Sequence, residues 1–485
     1  MLKTMHNDFY ADAHGTKSVR DKINSFDKNG VPGGRAAAES TSPFKRRRVF
    51  VLCVIIELMF KMFIQRTLEG YVKKYLRKHP DIKLVIVTGS VGKTSTKIAI
   101  GTVLSEKFRV RLHEGNHNAE LSTPLAILGI EYPHDLKSIS SWLNIFQAAR
   151  KRISSPSDVD VIIQEVGSDG IGQVPHFGTY AKPYVAVVTA VSEEHMEFFK
   201  TIDAVAAEEL SAANFSQYAL INRDNIDGKY AEDLTNARIN TYGITEAAEY
   251  HFTEEDFTIE NGFTGLFSVR GEFYMAIKIS LKLAGEHSIR AAVAAGAVGI
   301  RLGLNETELR NGFAKIRAVN GRMNILRGVE DTIIIDDTYN SSPLAASSAL
   351  ATLYQLSVPQ RIAVLGSMNE LGDASPAAHE AIGKICNANE LAHVVTVGDV
   401  AEKYLAPAAR SNGCHVVSFK TALEAGAFVH KALEPGAAIL FKGSQGGIYL
   451  EEAIKVVLHS TEEDSKLVRQ SREWLETKQA FFSQF

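Results

Sequence analysis

The stretch Leu84-Val85-Ile86-Val87-Thr88-Gly89-Ser90-Val91-Gly92-Lys93-Thr94-Ser95 constrains the fold more than any other. Four apolar residues read as a short buried strand. A turn with two glycines follows, and Lys93 then opens a helical pattern through Ile100, Val103 and Leu104. A strand–turn–helix aims backbone N–H groups and a helix N-terminus at one point, which suits an anion. Glycine lets the backbone approach phosphate oxygens with no Cβ in the way. Lys93 supplies a point charge for terminal phosphates, and the Thr94 hydroxyl can reach a magnesium ion. The spacing is shorter than in the usual phosphate loop, with only Ser90 and Val91 between Gly89 and Gly92. The bland alternative, a Gly-rich turn with a surface lysine, is disfavoured by the strand in front of it.

At 485 residues the chain exceeds one ordinary core, so two or three domains are expected. A formal net charge of −3 gives no argument for a nucleic-acid partner. Cys53, Cys386 and Cys414 are far apart, without metal-type spacing, which fits reduced thiols in the cytosol.

Residues 1–48 are polar with no apolar period and read as a disordered extension. Lys45-Arg46-Arg47-Arg48 then precedes an apolar run from Val49 to Phe60, broken by Glu57 and followed by Lys61. Residues 49–80 are expected to be helical. The run is shorter than the ~20 residues of a spanning helix. Three readings stay open. The helix packs on the nucleotide-binding domain; or, with Lys73, Lys74, Arg77 and Lys78, segment 45–78 makes peripheral contact with the inner membrane surface; or the true start is Met59 or Met62.

Residues 81–318 alternate strand and helix. Val161-Ile162-Ile163 ends at Gln164-Glu165, and Val185-Ala186-Val187-Val188 is soon followed by Glu194-His195. Polar residues just past the carboxyl ends of parallel strands are where an open α/β sheet binds its ligand. Phe263–Val269 and Tyr274–Leu281 partly alternate, like an antiparallel patch. Residues 319–485 form a second α/β unit. Its strands end at Asp336-Asp337, Gly366-Ser367, Gly398-Asp399 and Lys442-Gly443-Ser444. The fold class is α/β: a central phosphate-loop ATPase-like domain, mainly parallel, then a Rossmann-like C-terminal domain.

The ordered set of motifs resembles the Mur ligases, the ATP-dependent amide-bond-forming family of peptidoglycan synthesis. Thr88 to Ser95 resembles that family's short phosphate loop. Gly115-Asn116-His117-Asn118 resembles the asparagine-rich loop of the members that add D-alanyl-D-alanine, as does Val364-Leu365-Gly366-Ser367-Met368-Asn369-Glu370-Leu371-Gly372. Glu165-Val166-Gly167, Glu194-His195-Met196-Glu197-Phe198, Gly285-Glu286-His287, Gly321-Arg322, Asp336-Asp337-Thr338-Tyr339-Asn340 and Lys442-Gly443-Ser444 follow in family order.

The resemblance implies that the γ-phosphate of ATP passes to a substrate carboxylate, that an amine attacks the acyl phosphate, and that phosphate leaves. Converging negative charge must be offset by cations. Lys93 and Mg2+ are the suppliers, with Thr94, Glu165 and His195 as the implied metal ligands. Arg322, Asp337 and Asn340 would face ATP from the C-terminal domain after closure of the two domains. Asn116, Asn118 and Lys442 would contact substrate. The implied substrates are a sugar-nucleotide or lipid-linked peptide and D-alanyl-D-alanine, handled by a monomer in the cytoplasm.

This chain departs from the family in four places. Where many Mur ligases carry a carbamylated lysine, Glu209 (or its neighbour Glu208) stands, and its carboxylate is expected to take the magnesium-related role directly. The family's two asparagines after His287 are Ser288 and Ala291. The arginine that often follows Lys-Gly-Ser is Gln445. No strand–helix alternation precedes Leu84, where the family's UDP-binding domain would lie. The rival readings are a relative joining an amino acid or amide to another carboxylate, of cyanophycin, folylpolyglutamate or muramoyl-amidating type, and a non-catalytic nucleotide-binding scaffold.

Overall fold

A computed structural model describes residues 43–113, 120–133, 135–136, 138–271 and 274–485. Asn116, Asn118 and positions 1–42 of the expected extension lie outside the described residues. Two compact units separate: Met1–Ile82 with His117–Asp158, and Lys83–Asn116 with Val159–Phe485.

The described part of the first unit is helical, with helices Pro43–Lys78, Ser122–Leu128 and Ile139–Ser154. The first begins at Pro43, within the stretch read as extension. A proline suits a first helical position, where no N–H partner is needed. Ile64 and Leu68 pack with Leu125, Trp142 and Ile145, and the Trp142 indole donates to the Leu136 carbonyl at 2.9 Å. The opposite side of the long helix leaves Ile55, Met59, Met62 and Phe63 exposed. Among the described residues no helix is long and apolar enough to cross a membrane.

The second unit contains two sheets. The first runs β1 (Lys83–Thr88), β2 (Val110–Leu112), β3 (Val161–Glu165), β4 (Val185–Val188), β5 (Tyr218–Asn222), β6 (Ile239–Gly243), β7 (Tyr250–Thr258), β8 (Gly262–Val269) and β9 (Met275–Leu281). Their spatial order is β2-β3-β1-β4-β5-β6-β7-β8-β9. All pairings are parallel up to β7; β7–β8 and β8–β9 are antiparallel, the expected patch. The buried, β-branched runs of β1, β3 and β4 suit strands covered on both faces. Helices Lys93–Leu104 and Glu286–Arg301 share one apolar core with them, through Ile100, Val103, Ala294 and Val298.

The second sheet contains β10 (Asn324–Arg327), β11 (Ile333–Asp337), β12 (Arg361–Gly366), β13 (His393–Val397), β14 (Val416–Phe419) and β15 (Ala438–Lys442), in the order β10-β11-β15-β12-β13-β14. Only β10 is antiparallel to its neighbour. The tail after Leu458 holds a 3₁₀ turn, Thr461–Lys466, and a helix, Arg472–Phe482.

In the first sheet the chain leaves β1 towards β3 and returns on its other side at β4. The carboxyl ends of β1, β3 and β4 therefore flank the point where the winding reverses, the site at which such sheets leave a crevice.

Candidate active site

The loop after β1 is shaped by the end of β4. Thr189 bonds back to β1, its N–H and hydroxyl donating to the Thr88 carbonyl at 2.9 and 3.0 Å. The same hydroxyl donates to the Val91 carbonyl at 2.6 Å. This approach leaves no room at Gly89: a Cβ there would lie 2.3 Å from Thr189 Oγ1, and φ is +123°. Ser90 is latched to the next loop, its hydroxyl donating to the Ser192 carbonyl at 3.1 Å and accepting from the Ser192 N–H at 2.9 Å. Gly92, at φ +84°, turns the chain into the helix that starts at Lys93.

Lys93 is partly buried and folds back over this loop. Its ammonium donates to the Gly89 carbonyl at 2.5 Å and pairs with Glu194 at 3.3 Å. Burial works against its charge, but the carboxylates of Glu194, Glu209 and Glu165 outweigh it and hold the pKa above the ordinary lysine value. Thr94, one residue on, donates to Glu165 at 3.0 Å. Glu165, at the end of β3, is also paired at 3.3 Å with Lys97, both side chains being buried. Burial lowers the Lys97 pKa, partly opposed by Glu165. Ser95 continues the first turn of the helix and is partly exposed.

Glu209 and Glu208 are both buried in helix Ile202–Phe215, yet they face different partners. Glu209 reaches under the phosphate loop, where it accepts from the Thr88 hydroxyl and from the Gly89 N–H at 2.7 Å. Burial pushes its carboxyl up to about 7, against the pull of Lys93. Glu208 instead accepts from Ser168 Oγ at 3.0 Å and from the N–H groups of Gly172 and Val174 at 2.7 Å each. It pins the turn that follows Glu165.

His195 sits in left-handed backbone at φ 49°. Its ring nitrogens lie 3.4 Å from Asp169, 3.7 Å from Glu194 and 3.2 Å from Glu370, the last brought in by the loop after β12. Thr94 and Glu165 are thus together, Glu209 lies beneath the loop, and His195 adjoins the loop through Glu194, which also pairs with Lys93. Among the described residues no three His, Cys, Asp or Glu side chains are arranged to hold a metal ion. Mg2+ does not demand that, since it takes one or two carboxylates and completes its shell with phosphate oxygens and water. Thr94 and Glu165 fit such a site.

The C-terminal sheet supplies the opposite wall. Arg322 donates to Thr94 Oγ1 at 3.1 Å and stacks on the Tyr339 ring at 4.1 Å. Lys442, buried at the end of β15, pairs with Asp337 at 2.7 Å and donates to the Asn340 carbonyl at 2.6 Å. Lys442 therefore supports the two residues expected to face the nucleotide, and Asn340 itself is exposed. Two buried polar atoms here have no hydrogen-bond partner, Arg322 Nε and His287 Nδ1. Burial lowers the His287 pKa to about 4, so its ring is neutral near pH 7. Orphaned buried groups are costly, and a donor left open beside a phosphate loop fits a polyanion.

Sequence reasoning names Glu194 and Tyr339 within motifs but gives them no role of their own, and it missed Lys97. The position of Lys97, one helical turn after Lys93, was the available signal for it.

The Mur ligase middle-domain profile matches residues 87–299, and the Mur ligase glutamate-ligase-domain profile matches residues 321–445. The UDP-N-acetylmuramoyl-tripeptide–D-alanyl-D-alanine ligase of Bacillus subtilis is 25% identical over 403 residues, covering 81% of this chain and 79% of that protein. Its Escherichia coli counterpart is 26% identical over 396 residues, covering 80% and 79%. In fold the chain resembles MurF of Acinetobacter baumannii, with a TM-score of 0.66, 23% identity and coverage of 80% and 79%. It also resembles the MurF ligase of Thermotoga maritima solved with ADP, with a TM-score of 0.63, 21% identity and coverage of 85% and 84%. Two adjoining domain matches, in the order and at the places where the phosphate loop and its opposite wall lie, establish that the chain belongs to the Mur ligase family.

Proposed function

We propose that this chain is an ATP-dependent ligase of peptidoglycan precursor synthesis that adds D-alanyl-D-alanine to UDP-N-acetylmuramoyl-tripeptide through an acyl phosphate. Mur ligases use ATP and Mg2+. The observation that carries the reading is the convergence of Lys93, the Thr94–Glu165 pair and Arg322, from two sheets, on one phosphate loop. In this reading Gly89 to Ser95 hold the β- and γ-phosphates and Lys93 offsets their charge. Arg322 clamps from the far side, while Asp337 and Asn340 border the nucleotide. Thr94 and Glu165 hold Mg2+, which supplies further charge neutralisation at the transferring phosphoryl group. His195 and Glu209 belong to the same machinery, and Asn116, Asn118 and Lys442 serve the peptide substrates. Water must be kept from the acyl phosphate, so the two walls work closed.

The test is phosphate release from ATP and Mg2+ with UDP-N-acetylmuramoyl-tripeptide and D-alanyl-D-alanine. Release is expected only with both present; release with neither, or with D-alanyl-D-alanine alone, would count against ligation. A second reading keeps the chemistry and changes the acceptor to a lipid-linked peptide. It is favoured by the exposed apolar residues Ile55, Met59, Met62 and Phe63 of the first helix, which suit a lipid surface. Release with the lipid-linked acceptor and not with the UDP-linked one would decide for it.

We read the chain as a cytoplasmic monomer that touches the inner membrane surface through residues 45–78. Exposed Ile55, Met59, Met62 and Phe63 would enter the interface beside the basic residues Lys45 to Arg48. Cosedimentation with anionic but not zwitterionic vesicles is the expected outcome, and equal binding to both would sink the electrostatic part of this reading.

A further inference from the structure

The family match ends at residue 445, yet one buried side chain of the tail reaches the nucleotide wall. Arg469, in left-handed backbone at φ 55°, is buried between the tail and the helix Glu451–Val457. Its guanidinium makes a two-pronged pair with Glu451, at 2.8 and 2.6 Å, and Glu451 is fully buried. The remaining donors go to backbone: the Tyr339 carbonyl at 3.0 Å and the Thr338 carbonyl at 2.7 Å. Those two carbonyls belong to the segment between Asp337 and Asn340. The neighbouring Val468 packs so closely on Gly321 that a Cβ there would lie 2.6 Å from its methyl group. The tail thus grips both loops that meet at Arg322: the one before β10 at Gly321 and the one after β11 at Thr338 and Tyr339. The Tyr339 N–H also donates to the Gly321 carbonyl at 3.0 Å, and its ring is the surface on which the Arg322 guanidinium lies.

We propose that Arg469 is a positioning residue for nucleotide binding: it fixes the Thr338–Tyr339 backbone, Tyr339 fixes Arg322, and Arg322 is thereby held over Thr94. A planar fork with five donors can satisfy a carboxylate and two carbonyls at once, which a lysine cannot. The inference rests on ATP as the ligand of the phosphate loop.

Binding of Mg2+–ADP to the full chain is measured for wild type, Arg469→Lys, Arg469→Ala, Tyr339→Leu and the Arg469→Lys/Tyr339→Leu double variant. KM for ATP and for each peptide substrate is measured alongside. Loss of charge-assisted bonds that act on the nucleotide wall is expected to weaken Mg2+–ADP by about tenfold in Arg469→Ala, with peptide KM values within about twofold of wild type. Arg469→Lys, which keeps the charge opposite Glu451, is expected to fall between. Tyr339→Leu keeps the carbonyl that Arg469 grips and removes the ring under Arg322, so it should reproduce the nucleotide defect. Because the two residues act in series, the double variant should bind no more than about twofold more weakly than its worse parent. If Arg469→Ala does not fold, the lysine and Tyr339 variants decide. Folded Arg469→Lys and Tyr339→Leu proteins that bind Mg2+–ADP like wild type, or a double variant whose losses multiply, would overturn the proposal. Failure of wild type to bind Mg2+–ADP would instead overturn the nucleotide reading itself.

Discussion

Replacing Lys93 by alanine is expected to lower ATP-dependent phosphate release by about 10²–10³-fold or more, as removal of one preorganised charge-stabilising group does elsewhere. The ammonium stands over the Gly89 carbonyl and is the cation nearest to Glu194, with Glu209 and Glu165 adding to the negative field. Without it, three carboxylates would meet the phosphates with only Lys97, Arg322 and Mg2+ to offset them. Lys97 is already committed to Glu165, and Arg322 reaches the loop from the other sheet at Thr94 rather than at the place of the Lys93 ammonium. The loss should therefore fall on nucleotide affinity and on turnover together. Phosphate release at saturating ATP, with a melting curve to show that the variant is folded, is the check. A folded variant within tenfold of wild type would mean that Lys93 does not face the transferring phosphoryl group.

Glu209→Gln is expected to move stability and activity in opposite directions. A buried carboxyl raised to about 7 binds its proton more tightly in the folded protein than in the unfolded chain. The folded state therefore loses stability as pH rises from the ordinary carboxylate range through about 7, and the loss is complete above that. Glutamine keeps an acceptor for Thr88 and Gly89 but carries no charge. Above pH 7, without ligands, the variant should be more stable than wild type by roughly 1–3 kcal/mol. Turnover should fall by at least about tenfold and require more Mg2+, because the anion beneath the loop no longer balances Lys93 and the metal. Thermal melts at pH 5 and pH 8, with an Mg2+ titration of phosphate release, separate the two effects. Unchanged turnover with unchanged Mg2+ dependence would leave Glu209 a structural acid that only ties down Gly89.

The strands beneath the site were legible because both faces of each are covered, which leaves unbroken apolar runs ending in polar residues. Leu84–Val87, Val161–Ile163, Ile362–Leu365 and Ile439–Phe441 are cases where that pattern is strong. Strands β6 and β7 escaped notice. Ile239–Gly243 is partly exposed and polar, and Tyr250–Thr258 carries the run Glu254-Glu255-Asp256, so neither shows an apolar run or a clean alternation. The phosphate loop was legible because its backbone conformation demands glycine and its chemistry demands lysine. The partners of those residues were not. Glu208 and Glu209 are adjacent acids in one helix, and which of them faces the loop depends on how that helix is rotated against β4, a tertiary fact. Lys442 reads as a substrate contact in sequence; its burial against Asp337 follows from the insertion of β15 between β11 and β12, which no local pattern shows. The tail after Leu458 reads as charged and helical, and nothing in that pattern shows that Arg469 and Lys478 bury their charges against Glu451.

That insertion of β15 has a consequence for a chain made from its N-terminus on a ribosome. Strand β11 is synthesised about a hundred residues, and β12 about seventy, before the strand that separates them. Until Lys442 emerges, Asp337 lacks its cation and the two strands lack their common neighbour, and Arg469 comes later still. The first sheet, with its phosphate loop, has all its strands by Leu281 and can form while the rest is still being translated. The nascent protein thus acquires the phosphate loop early and the opposite wall only after β15 and Arg469 have been made.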